Sequence, residues 1–391
     1  MDWEIVSKSN FFIFTYYEMD LKLNEFIIMK RSKIKIFSIF IGLLISYFTF
    51  AQENQDTIST GIVIVPTLNK PESPAKEKDF AGYLLAYFKD QTQSAYLAIS
   101  TDGYTFTDIN NGKPIFIGSL LAEQKGVRDP HITRGPDGAF YLVMTDLHIF
   151  GKRAGFRDTD WQRPIEKYGW GNNRAIVLMK SYDLIHWTHS DFRVDTAFPE
   201  LGDIDCSWAP QTIYDPVKGK MMVYFTIRYN NEYAHIYYSY TNDEFTKLET
   251  TPTRITDIGG IDADLTHVGN QYQIFYVSGG KIFHSVSDKI NEGFKPGDKR
   301  IDPESVNTEA PNVFKRLGTD TYVLMYDVYG LRPSNMGFSE TTDFVNYKHI
   351  GRFNEGIMKT TNFTSPKHGA VTYLTKDELK TIVEHWKVDL K

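Results

Sequence analysis

An all-β fold, a five-bladed β-propeller, is what this sequence predicts, and three observations predict it. From Phe80 onward, short strand-like runs alternate with turn residues, and helical periodicity appears only in the closing "KDELKTIVEHWK". A strand followed by a polar turn recurs five times, as "AYLAISTDGYTF", "AIVLMKSYDLIHW", "AHIYYSYTNDEF", "KIFHSVSDKINEGF" and "MGFSETTDFVNY". Between these repeats stand five entry motifs, Asp129-Pro130, Ala209-Pro210, Asp262-Ala263, Ala310-Pro311 and Ser365-Pro366, and each opens a further strand.

The entry prolines locate the axis. Proline has no N–H to give to a ladder, so inside sheets it is confined to edges, strand starts and bulges. An innermost blade strand lines the central channel with a free edge and tolerates it. Second strands follow the first four entries as "FYLVMTD", "MMVYFTIR", "YQIFYVSG" and "YVLMYDV". Entry, middle and outer strands, repeated five times, make five blades. The last entry strand, "SPKHGAVTYL", has no followers, while the early "AGYLLAYF" and "AYLAIS" have no entry. Joined, they complete one blade and pin the two ends of the chain together.

Outside the repeats, Lys30, Arg31, Lys33 and Lys35 precede an apolar run from Ile36 to Phe50, with Thr49 and Ala51 at positions −3 and −1 of a cleavage site. The expected organisation is thus an upstream extension and a signal peptide within 1–51 (the signal at 29–51, starting at Met29), a Pro/Ser/Thr-rich linker over 52–78, and a catalytic propeller over 79–391. The apolar run is short of the roughly 20 residues a spanning helix needs, so cleavage, with no stable membrane insertion, is expected over anchoring. Cys206, the single cysteine, supplies neither a disulfide framework nor a lipoprotein anchor, which leaves a periplasmic or extracellular protein. The net charge of −6 excludes nucleic acid as a partner, and the 15% aromatic content suits an oligo- or polysaccharide substrate.

Entry strands begin on the face of the disc where the antiparallel middle strands end. Asp129, Trp208, Asp262 and Glu309 at the entries are therefore expected to meet Asp146, Arg228, Ser278 and Asp327 around one mouth. A single acid there has ordinary explanations, such as capping backbone N–H groups or sitting solvated. Three acids at entries in one aromatic-rich chain point to catalysis, because paired carboxyls in a cleft divide acid and base roles between them. Glycoside hydrolysis needs one protonated acid for the leaving oxygen and one ionised base for the attacking water. A glutamate with an ordinary pKa of about 4.3 must be raised by roughly two pH units to hold its proton, on the order of 2.7 kcal/mol, and a second carboxylate nearby can do this.

"VRDPHI", "WAPQTIYD", "IDADL" and "TEAPNVFK", one per blade and in this order, resemble glycoside hydrolase family 43, over about Phe80 to Thr375. The resemblance implies a five-bladed propeller and an inverting mechanism. It also implies Asp129 as general base, Asp262 as the residue that raises and orients the acid, and Glu309 as general acid. Ala263 stands where the third motif more often has proline, and Asp264, two residues past Asp262, competes with it for the role. Glu309 sits one place earlier relative to its proline than Asp129 does, so either it precedes regular pairing or a bulge re-aims it. No cofactor is required, although the resemblance allows a calcium ion in the channel on His368.

The long connection from Leu147 to Asn173 is expected over the mouth and carries Arg153, Arg157, Trp161, Tyr168 and Trp170. Trp208, Arg228, Asp146, Asp327 and Trp170 are the expected substrate contacts. A loop over one side favours a closed pocket and exo-action on a pentose or furanose end. α-L-Arabinofuranoside from plant-type side chains is expected first, with β-xyloside and β-galactofuranoside behind. Two alternatives stay open: a retaining five-bladed glycosidase, against which the absence of a Glu-Cys pair counts, and a carbohydrate-binding propeller without catalysis.

Overall fold

In this computed structural model the described residues are 60–71, 74–156, 163–169 and 172–390. The expected signal peptide, residues 52–59 and 72–73 of the expected linker, and Arg157, Trp161 and Trp170 lie outside them. The compact unit runs from Thr60 to Lys391. Among the described residues, no helix is long and apolar enough to cross a membrane.

The strands in chain order are β1 (Val63–Ile64), β2 (Phe80–Lys89), β3 (Ser94–Ser100), β4 (Thr105–Asp108), β5 (Val127–Arg134), β6 (Phe140–Asp146), β7 (Ala175–Ser181) and β8 (His186–Arg193). They continue as β9 (Cys206–Asp215), β10 (Lys220–Arg228), β11 (His235–Tyr240), β12 (Thr253–Gly259), β13 (Ile261–Val268), β14 (Gln271–Ser278) and β15 (Lys281–Ser287). The last are β16 (Thr308–Lys315), β17 (Tyr322–Val328), β18 (Met336–Thr341), β19 (Lys348–Arg352), β20 (Lys359–Thr360) and β21 (Lys367–Thr375). They form five sheets, each with one inner strand, β5, β9, β13, β16 or β21, at its edge. Blades are thus wider than three strands except the third, β13-β14-β15. Part of the expected linker joins in: β1 pairs in parallel with β8. The ring closes as expected, with β21 antiparallel to β2.

The recurring turns have a local cause. In "STDG", "SYDL" and "TTDF" the Ser or Thr hydroxyl accepts the N–H three residues on, as Ser100 does from Gly103 (2.9 Å), Ser181 from Leu184 (2.8 Å) and Thr341 from Phe344 (2.9 Å). The aspartate then takes the next two N–H groups, as Asp343 does from Val345 and Asn346. Such local bonds offer the backbone an alternative to the ladder, which is why these residues stop strands.

Between neighbouring blades lie five apolar clusters, the first joining the closing blade to the next around Trp187, Phe116 and Leu97, all fully buried. Each large side chain so removed from water contributes roughly 1.5–3 kcal/mol. The C-terminal helix, Lys376–Trp386, is capped reciprocally by Thr375 and Glu378 and lays Leu379, Val383 and Trp386 on that first cluster.

The inner strands share a deformation that positions everything at the mouth. Each carries one extra residue against its neighbour: pairing skips between Arg128 and His131, Trp208 and Gln211, Ile261 and Asp264, Glu309 and Asn312, and Lys367 and Gly369. At each bulge one non-glycine residue is left-handed, at Asp129 (φ 50°), Ala209 (44°), Asp262 (52°), Ala310 (57°) and His368 (27°). Pro130, Pro210 and Pro311 fall inside the bulges, where no ladder N–H is lost. This corrects the fifth motif: Pro366 precedes β21, and His368-Gly369, not Ser365-Pro366, occupies the equivalent place, with glycine where the others have Pro or Ala.

Candidate active site

Free inner-strand edges leave N–H groups that need acceptors, and the preceding blade supplies them. Around the mouth, Thr145 Oγ1 accepts from Ala209 N (2.9 Å) and Thr226 Oγ1 from Asp262 N (3.3 Å). Asp262 Oδ2 accepts from Ala310 N (3.2 Å), and Asp327 Oδ1 from His368 N (2.8 Å). A second belt lies deeper: His131 Nδ1 accepts from Thr212 N, Asp264 from Val313 N and Asn312 from Val371 N. Asp262 and Asp264 are thereby separated. Asp262 belongs to the mouth, while Asp264 faces the far half of the channel, where a cavity of about 880 Å³ is lined by His131, Thr212, Asp264 and Asn312.

The bulges bring Asp129, Asp262, Glu309, Asp327 and His368 into one electrostatic group. Asp129 Oδ2 accepts from Thr145 Oγ1 (2.8 Å), and Oδ1 lies 3.2 Å from His368 Nδ1. Burial alone would push the Asp129 carboxyl up, but the His368 charge and hydrogen bond, with Arg128 and Thr145 behind them, carry it down to about 2. Asp129 is therefore ionised near neutrality. Asp262 goes the other way, pushed up to about 7 by burial, with His368 opposing and the Glu309 and Asp129 charges adding. Asp327 is raised to about 7, first by burial and then, against the pull of Lys367, by Glu309. An ionised carboxylate beside carboxyls that hold protons is the division of roles acid–base chemistry needs.

Glu309 is more open than these neighbours, with 27% of its side chain exposed. It pairs across the ladder with Asp327, and the skip that follows it is the bulge that re-aims the strand. Sequence reasoning passed over the residues around it. Lys367 Nζ lies 3.5 Å from Glu309 Oε1, 3.7 Å from Asp90 Oδ2 and 4.0 Å from Asp327 Oδ2, and Arg128 Nη1 holds Asp90 at 2.8 Å. Once the bulges are known, their register picks out Arg128 and Lys367, which like Trp208 and Glu309 stand one residue before the left-handed position, but not Asp90.

The other expected contacts divide. Trp208 is half-buried beside the mouth, with the Arg228 guanidinium over its ring at 4.6 Å. Arg228 also donates to Tyr168 O (2.7 Å) and pairs with Asp205 (3.3 Å), so it braces the long connection. Arg163 braces the same segment, through Asn172, Asp203 and the carbonyls of Ile204 and Asp205. Tyr168 is buried and bonds Asp203, so it packs its loop. Asp146 is not brought to the axial group. One residue past Thr145 on a regular strand it points the opposite way. Its Oδ1 accepts from Gln124 N (2.8 Å), and it converges with Glu123 and Asp191, the group among the described residues whose ligand-type atoms lie within 4.8 Å. Ser278 bonds Tyr233 Oη at 2.7 Å.

A measurable pH dependence follows from His368. Burial lowers its affinity for a proton, but the charges of Asp129, Asp262 and Asp327 reverse this and raise it to about 9. A histidine raised above its ordinary value of about 6.5 gives stability that is complete below that pH and lost as pH climbs toward the folded value. Asp262, Asp264 and Asp327, each raised to about 7, have spent their effect by about pH 8. Unfolding free energy should therefore fall by about 1 kcal/mol between about pH 8 and 9.5 in wild type and by less in His368→Gln. Urea titrations at several pH values read this directly, and equal slopes in the two proteins would contradict it.

Comparison with known families places the chain. A family related to glycosyl hydrolase family 43, described as "Probable glycosyl hydrolase domain", matches residues 78–380. Similar solved structures include a thermostable family-43 glycoside hydrolase, 16% identical, with a TM-score of 0.41, covering 59% of this chain and 73% of that one. A GH43_1 enzyme from Xanthomonas citri complexed with xylose is 11% identical, with a TM-score of 0.43 over 58% of this chain and 74% of that one. The β-xylosidase/α-arabinofuranosidase CoXyl43 from a compost microbial metagenome is 14% identical, with a TM-score of 0.43 over 58% and 77%. No curated protein matches the chain. With the family profile spanning 78–380 and the propeller closed around its acids, the chain belongs to the glycosyl hydrolase family related to family 43.

Proposed function

We propose that this glycoside hydrolase is an inverting, exo-acting enzyme that releases terminal furanose or pentose units, α-L-arabinofuranose first, with β-xylose and β-galactofuranose as runners-up. The observation that carries the reading is the electrostatic split at the mouth: Asp129 ionised by His368, Asp262 holding a proton, and Glu309 more exposed than either.

Asp129 takes a proton from water as the water oxygen bonds to the anomeric carbon. Glu309 gives its proton to the glycosidic oxygen as the C–O bond breaks, the bonding pair leaving with that oxygen. Asp129 ends protonated and Glu309 ionised, and exchange with solvent restores both. Asp262 keeps a proton in the group and orients Glu309. The bracing of the long connection by Arg163 and Arg228 supports a walled pocket and hence exo-action. We read residues 29–51 as a signal peptide, which places the mature enzyme in the periplasm or outside the cell. No cofactor enters these steps. A calcium ion on His368 fits poorly: Nδ1 is engaged by Asp129, Nε2 of the protonated ring has no lone pair to offer, and calcium wants six to eight oxygen ligands.

The test is a panel of para-nitrophenyl α-L-arabinofuranoside, β-D-xyloside and β-D-galactofuranoside, with the first product anomer of the fastest substrate read by NMR. Inversion of configuration supports the proposal. Retention assigns the other five-bladed mechanism, and no turnover of any glycoside leaves a sugar-binding propeller.

A further inference from the structure

Lys367 is a buried charge that the proposed acid and base do not use. It opens β21, directly before the bulge at His368, and its side chain is 10% exposed. Its ammonium stands among three carboxylates from two blades: Asp90, just past β2, and Glu309 and Asp327, facing each other across β16 and β17. Two of the three are already fixed, Asp90 by Arg128 at 2.8 Å and Asp327 by the His368 N–H at 2.8 Å. The ring of Phe88 lies 5.8 Å and that of Tyr329 5.7 Å from Nζ. A flexible lysine normally pays rotamer entropy to hold a position. Here the cage holds it, with Glu309 as the least buried partner.

We propose that Lys367 is a positioning residue for Glu309: its ammonium holds Oε1, leaves Oε2 to face the glycosidic oxygen, and meets the carboxylate charge that forms as the proton leaves. This rests on the reading of Glu309 as general acid. Before proton transfer the ammonium faces a neutral carboxyl; afterwards it faces an anion. The interaction is stronger in the transition state than in the ground state, which is the condition for raising kcat rather than lowering KM. Asp90 and Asp327 share the ammonium's charge with Glu309.

The test uses Lys367→Met and Lys367→Arg in the full chain, with a series of aryl glycosides of the sugar that wild type cleaves fastest, graded from 2,4-dinitrophenol to unsubstituted phenol as leaving group. With poor leaving groups, Lys367→Met should lower kcat by roughly 10- to 50-fold, with KM changed less than about threefold and the dinitrophenyl substrate nearly unaffected. Lys367→Arg should recover most of the loss. In a Glu309→Gln background, Lys367→Met should change kcat by less than about twofold, since the group it acts through is gone. A loss uniform across leaving groups, a loss confined to KM, or an additive loss in the double variant overturns the proposal. Should Lys367→Met fold poorly, Lys367→Gln takes its place in the same series. If Glu309→Gln itself shows no leaving-group dependence, the acid assignment fails first, whatever Lys367 does.

Discussion

Asp129→Asn should lower kcat on every glycoside the enzyme cleaves by roughly 10²- to 10⁴-fold, with KM within about threefold of wild type. The amide keeps an oxygen to accept the Thr145 hydroxyl, so the bulge at Asp129 is preserved while the base is lost. Because the base acts on water and not on the departing alcohol, the loss should be the same for good and poor leaving groups. Steady-state kinetics across an aryl series reads this, with circular dichroism and the unfolding midpoint confirming the fold. Less than a tenfold loss on all substrates would remove Asp129 from the reaction.

Glu309→Gln should behave oppositely in its pattern. Poor leaving groups need the proton and should lose roughly 10²- to 10⁴-fold in kcat, whereas a dinitrophenyl glycoside, whose oxygen departs unaided, should stay within about tenfold of wild type. The partial exposure of Glu309 makes the change sterically mild, and its backbone pairing with Asp327 does not depend on the carboxyl. Together the two variants separate the roles: a loss blind to the leaving group belongs to the residue that activates water, and a graded loss to the residue that protonates the bond. If both were blind, the acid would have to be sought among the other carboxyls of the mouth, Asp262 or Asp327, which carry the raised pKa values.

The fold was legible because its signals are local and repeated. In three of the five repeats Ser/Thr-x-Asp turns stop the strands through bonds spanning three residues, and the strand-and-polar-turn unit recurs at blade spacing, so counting the repeats counts blades. Ring closure was legible from what each terminus lacked. The site was legible only where a motif names its residue. Asp129, Asp262 and Glu309 stand in such motifs, and the bulges explain how they share a mouth despite their different offsets from proline. Strand-level reasoning misplaced the rest. Its place at a strand end put Asp146 at the mouth, although pleating turns it to Glu123 and Asp191, and alternation left Asp264 on the same side as Asp262, although the bulge between them sends Asp264 down the channel. Lys367 and Asp90 carried no motif. Their relation to Glu309 exists only once the first and last strands have met.

That meeting has a consequence for how the protein is made. Lys367 and His368 lie on β21, which follows the other described strands in the chain, yet β2, its partner, precedes four blades. Four blades can therefore be assembled around a mouth that lacks its imidazolium and its ammonium, and the carboxylates there stay mutually repelled until the tail threads in. The mouth is electrostatically complete only once β21 has paired with β2.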